Sequence, residues 1–219
     1  MKKVILSVFA VPFILAPAVM LAQGMASKGA TYITDEEVKK VNALPGVDRT
    51  IRVVDIGSEN FAVGIIHRGA TGAAARGAAP AGAAAAAGRG AAAAGEPCGE
   101  ASTAPATGAT AGGIAHDQQT EGYLIVSGAG TMVTGGHIAN GRRSPAESEV
   151  TKILNGPSCS GSIVGADVTR KAVKTGDIII IPAGVPHGWA EIPEHVDYLS
   201  FRPSARVLEA GYVNPALKK

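Results

Sequence analysis

In two stretches of this chain apolar and polar side chains alternate, which is the period of a strand with one face buried. The runs are short. Residues 51–56 and 61–67 follow the pattern, and after a long gap come further short extended runs at 122–126, 131–134, 151–154, 172–173, 177–181, 187–192 and 196–201. Gly, Pro and Asn punctuate the intervals, as in an antiparallel barrel or sandwich. Near the start, Thr34-Asp35-Glu36-Glu37 reads instead as a capping box, in which the Thr34 hydroxyl accepts the Glu37 amide and the Glu37 side chain reaches back. A helix is expected from there to Asn42, ended by Leu44-Pro45-Gly46. The run Ile178–Ile181 is apolar at every position, as in a strand covered on both faces. These signals predict an all-β fold with one short N-terminal helix.

Residues 69–113 break the pattern: alanine and glycine fill 32 of these 45 positions, with no aromatic, Leu, Ile or Val among them. Such a segment cannot offset the entropy of ordering, so it is expected to be a disordered Ala/Gly-rich loop. The chain opens with Met1-Lys2-Lys3, an apolar run over residues 4–15 and small residues at Ala16, Ala18 and Ala22, the layout of a secretory signal peptide. The run is too short to span a bilayer, which takes about 20 apolar residues. The expected organisation is thus a signal peptide over 1–22, the helix and first strands over 23–68, the loop over 69–113, a β-barrel core over 114–203 and a tail over 204–219. Export to the periplasm or the cell exterior follows, with no membrane insertion after cleavage.

The whole chain has 20 basic and 18 acidic residues; without Lys2 and Lys3 the numbers are 18 and 18. A neutral chain gives no electrostatic case for nucleic acid. In an oxidising compartment Cys98 and Cys159, both in loop-like text, are free either to pair or to remain separate thiols.

Two spacings carry the chemistry. His116 is followed after four residues by Glu121 and after six more by Gly128; Gly176 is followed after five by Pro182, then Gly184 and, two residues on, His187. On a strand Glu121, Tyr123 and Ile125 share one face, where a carboxylate is costly unless paired or bound to a cation. The second spacing matches the second motif of the cupins at every fixed position, and the first resembles the later half of the first cupin motif. The resemblance covers roughly residues 110–202 and implies a jelly-roll barrel holding a metal through His116, Glu121 and His187. The chain departs from the pattern at Ile114, where a first histidine is expected, and at Glu191. Two imidazoles and one carboxylate favour iron or manganese, with zinc or nickel as alternatives. His67, Gln118 and Gln119 are candidates for a further ligand. Tyr123, Trp189 and Arg202 are candidates for pocket lining, Arg202 also for a pair with an acid at the barrel rim. His137 and His195 read as surface residues.

The function implied is a metal-dependent enzyme of dioxygenase, isomerase or lyase type acting on a small organic molecule. The alternatives are a small-ligand-binding cupin without catalysis and a structural, oligomeric one. A homodimer fits the resemblance.

Overall fold

The computed structural model describes residues 29–72, 95–102 and 110–218. The expected signal peptide and most of the Ala/Gly-rich segment lie outside these residues. Helix α1 (Asp35–Asn42) forms where the capping box places it: Thr34 Oγ1 accepts the Glu37 amide at 3.3 Å, and Glu37 Oε2 accepts the Thr34 amide at 3.1 Å. Ten strands follow among the described residues: β1 (Asp48–Asp55), β2 (Asn60–Thr71), β3 (Pro97–Cys98), β4 (Thr110–His116), β5 (Glu121–Thr134), β6 (His137–Arg143), β7 (Ser158–Val164), β8 (Thr169–Lys174), β9 (Ile178–Ile181) and β10 (His187–Ser204).

Among the described residues every strand–strand pairing is antiparallel, and β5 and β10 pass through both layers. One layer runs β1-β2-β10-β5-β9; the other uses β8, the opposite ends of β5 and β10, and then β4, β7, β6 and β3. The result is a two-layered, jelly-roll-like antiparallel barrel with a short N-terminal helix. Gly128 is where β5 bends between layers: its φ is +74°, and a Cβ there would lie 2.0 Å from the His195 carbonyl oxygen. The register with β10 shifts on both sides of this bend, yet each strand runs on through it. Hence residues 122–126 and 131–134, expected as two strands, form one, and so do 187–192 and 196–201.

Inside the barrel Ile66, Tyr123, Ile125, Met132, Ile181, Trp189, Ile192, Val196 and Tyr198 pack as one cluster with Val173. A second cluster of Val41, Ile51 and Ile65 lies under α1, and a third of Val53, Ala62 and Leu208 under the C-terminal tail. That tail covers the outer edge of β1, where the Val53 amide donates to the Tyr212 carbonyl and the Gly211 amide to the Val53 carbonyl.

Several expectations need correction. Residues 151–154 are not a strand but part of a π-helical turn, Val150–Asn155, with the Ser148 hydroxyl on the Thr151 amide; four residues are too few to separate the two periods. β6 and β7 were not expected, because their Ala, Gly and Ser positions carry no hydrophobic period. Cys98 sits in β3 and Cys159 in β7, not in loops. Strand β2 continues to Thr71 and β4 starts at Thr110, so both ends of the expected loop are ordered into sheet. Finally, β9 is covered on one face only: Ile181 is 2% exposed, whereas Ile178 and Ile180 are 71% and 74% exposed.

Candidate metal centre

His116 ends β4, Glu121 begins β5 and His187 begins β10. Main-chain pairing sets their approach. Glu121 pairs with Ile181 at the end of β9, the turn after Ile181 docks through the Gly184 amide on the His116 carbonyl at 2.7 Å, and His187 then pairs with Ile114 on β4. The Pro182-x-Gly184 spacing is what reverses the chain within these few residues.

The three side chains are buried, and one ligand atom from each lies within 4.8 Å of the others. Glu121 Oε2 is 3.0 Å from His187 Nε2 and 3.4 Å from His116 Nε2. The proton positions follow from the opposite side of each ring. His116 Nδ1 is 2.8 Å from the Asn155 carbonyl and His187 Nδ1 is 3.0 Å from the Val185 carbonyl. A carbonyl only accepts, so each Nδ1 carries hydrogen and, in the neutral ring, each Nε2 presents a lone pair. Two lone pairs thus face a carboxylate oxygen in a buried site. His187 Nε2 makes no hydrogen bond there despite its closeness to Oε2. A cation between the three atoms satisfies all of them, and imidazoles keyed by backbone carbonyls are the usual support of metal ligands.

Glu121 is ionised. Burial alone would raise its pKa, but the Arg202 guanidinium outweighs it and holds the carboxyl well below the usual range. Arg202 Nε donates to Glu121 Oε1 at 2.5 Å, and Arg202 Nη2 donates to Asp48 Oδ2 at 2.5 Å. Arg202 is therefore no rim residue: it is 1% exposed, inside the barrel. The Tyr123 hydroxyl donates to Glu121 Oε2, and burial together with the Glu121 charge pushes the phenol well above its ordinary pKa.

The other sequence candidates are placed as follows. His67 points from the outer face of β2 to Asp197 at 2.6 Å, Gln118 is exposed, and buried Gln119 donates to the Leu154 carbonyl at 3.3 Å. Trp189 packs in the core, its Nε1 3.4 Å from the Tyr198 hydroxyl. His137 pairs with Glu100 at the surface, and His195 contacts Ser127 on the outer face. Cys98 and Cys159 form a disulfide. Cys159 pairs with Ala115, next to His116, so the bridge ties down the strand beside the site. Sequence reading missed Asp48, which no spacing marks, and the carbonyls of Asn155 and Val185, which any residue supplies.

No protein-family model matches the chain, and no curated protein matches it. Among solved structures it is similar to a recombinant oxalate oxidase in complex with glycolate, at 12% identity and a TM-score of 0.35 over 82% of this chain and 63% of that one, less than two thirds of its length. It is also similar to an uncharacterized conserved protein with a double-stranded β-helix domain from Klebsiella pneumoniae, at 14% identity and a TM-score of 0.34 over 82% of this chain and 94% of that one. A third is a CENP-C domain of Drosophila melanogaster, at 8% identity and a TM-score of 0.30 over 70% and 72%. These likenesses are distant and say nothing of chemistry. The site itself says more: His116, Glu121 and His187 form a buried set that could hold a metal ion.

Proposed function

We propose that the protein is an exported, metal-dependent cupin enzyme acting on a small organic molecule, with His116 Nε2, His187 Nε2 and Glu121 Oε2 as the metal ligands. One observation carries this reading: two imidazoles keyed through Nδ1 to backbone carbonyls turn their lone pairs toward an ionised, buried carboxylate. Iron or manganese suits two nitrogens and one oxygen, with zinc or nickel for a redox-neutral reaction. When bound, such an ion supplies Lewis acidity or a centre for oxygen activation, which fits a dioxygenase, isomerase or lyase. The chain's own part is to fix the ligands, to exclude water through burial, and to hold a proton on the Tyr123 hydroxyl beside Glu121 Oε2.

Export is supported by the N-terminal sequence pattern and by the Cys98–Cys159 disulfide, which persists in oxidising compartments. No helix among the described residues is long and apolar enough to cross a membrane. A small molecule is the expected partner, nucleic acid is not, and a homodimer fits the barrel.

Elemental analysis of untagged protein tests the metal: one ion per chain, lost in His187→Ala, is expected, and a metal-free wild type that takes up none on addition sinks the reading. Turnover, including oxygen uptake, with a panel of phenolic and diketone substrates tests the enzyme. The burial of all three ligands at 3% or less favours a second reading, a non-catalytic ligand-binding cupin. Stoichiometric metal, no turnover of any substrate and a ligand-dependent rise in Tm would establish that one instead.

A further inference from the structure

We propose that Arg202 is a positioning residue that restricts Glu121 to one ligating oxygen, and that Asp48 is the anchor that makes this restriction hold. The inference rests on the metal reading above. A carboxylate binds a metal through one oxygen or through both. Glu121 has only one to offer: Oε1 accepts from Arg202 Nε at 2.5 Å, while Oε2 faces both imidazoles and also accepts from Tyr123. Arg202 cannot release Oε1 by losing its proton, because a guanidinium stays charged. Nor can it swing aside into solvent, since it is 1% exposed.

Asp48 closes the remaining route. Its Oδ2 holds Arg202 Nη2 at 2.5 Å from the first residue of β1, while Glu121 Oε1 takes the Nε of the same guanidinium. Moving Arg202 away from Glu121 therefore breaks two charge-assisted hydrogen bonds in a buried place. Asp48 also neutralises Arg202, so the guanidinium does not cancel the Glu121 charge that a cation requires. A carboxylate held to one oxygen leaves one more coordination position for a non-protein ligand than a carboxylate bound through both. The Asp48 carboxylate is hydrogen-bonded to Arg202 and touches none of the three ligands, which makes it a useful probe.

The test uses cobalt(II) on the full chain, read by its visible absorption and by competition with a chelator. Wild type, Asp48→Asn, Arg202→Gln and a control, Asp55→Asn, are compared. Asp55 lies on the same strand and pairs with Arg206, away from the site. Wild type and the control are expected to bind one equivalent with the same spectrum. In Asp48→Asn and Arg202→Gln the spectrum shifts and the cobalt affinity changes by about 10- to 100-fold, the usual effect of losing a partner behind a ligand. If Arg202→Gln does not fold, Asp48→Asn decides, since asparagine keeps the shape and removes the charge. A folded Asp48→Asn with wild-type spectrum and affinity overturns the proposal while leaving the metal site standing. Wild type that takes up no cobalt, like His187→Ala, overturns the metal reading and this inference with it.

Discussion

A carbon added to Gly64 would lie 3.3 Å from Arg202 Nη1, so the missing side chain on β2 is what lets the buried guanidinium lie against that strand. The same carbon would lie 3.1 Å from Ser200 Oγ and 3.2 Å from the Arg49 carbonyl oxygen. Gly64→Ala is expected to destabilise the protein by about 1–3 kcal/mol through overpacking, and Gly64→Val by more. Urea denaturation measures the cost. An alanine variant as stable as wild type would mean that Arg202 has room to spare.

Tyr123→Phe removes the hydroxyl donor to Glu121 Oε2 and leaves the ring in the core. The metal-free variant should lose about 1–2 kcal/mol, because a buried acceptor gives up one of its partners while Arg202 still holds the other oxygen. Metal content should survive this change and vanish in His187→Ala. Elemental analysis of the two variants, purified side by side, checks the contrast.

Acid should remove the contribution of Glu121 in a defined direction. Its folded pKa lies well below the ordinary value of 4.5, so the unfolded chain takes up the proton first as pH falls. The stabilisation is therefore fully present above pH 4.5 and is withdrawn as pH drops through the folded value. Measured on metal-free protein, the stability gap between wild type and Glu121→Gln should narrow on acidification below that point. A gap that widens would reverse the assigned sign.

The disulfide closes a separation of 61 residues and fixes residues 95–102 against β6 and β7. Replacing both cysteines by serine is expected to cost roughly 2–4 kcal/mol. Non-reducing peptide mapping should recover the Cys98–Cys159 pair from wild type, and thermal melting should show the loss in the double variant.

Neighbours on β9 should respond very differently to substitution. Ile180, largely exposed, should tolerate threonine within about 0.5 kcal/mol. Ile181, buried in the barrel, should cost about 2–5 kcal/mol when cut back to alanine. Equal effects would contradict the one-sided burial of this strand.

How far these features could be read beforehand depended on whether side chains or backbone encode them. The capping box at Thr34 and the alternation at Glu121, Tyr123 and Ile125 are written in residue types, and both are found in place. The meeting of His116, Glu121 and His187 was legible for the same reason, through fixed glycines and a proline that only certain turns require. Strands β6 and β7 were not, since alanine, glycine and serine serve a sheet and a loop alike. The depth of Arg202 was also hidden: an arginine near the chain end looks like a surface charge until Asp48 and Glu121, 154 and 81 positions away, are brought to it. The exposed face of β9 escaped because four isoleucines have no period to read.

The Asn155 and Val185 carbonyls that orient the two imidazoles belong to the main chain. Exchanging the side chains at those positions should leave the ring orientations unchanged. Adding or deleting a single residue in the π-helical turn before Gly156 would rotate the Asn155 oxygen away from its ring. The centre is thus tolerant of spelling and intolerant of length, and natural variation among related chains should show drift in letters but a constant count between residues 150 and 156.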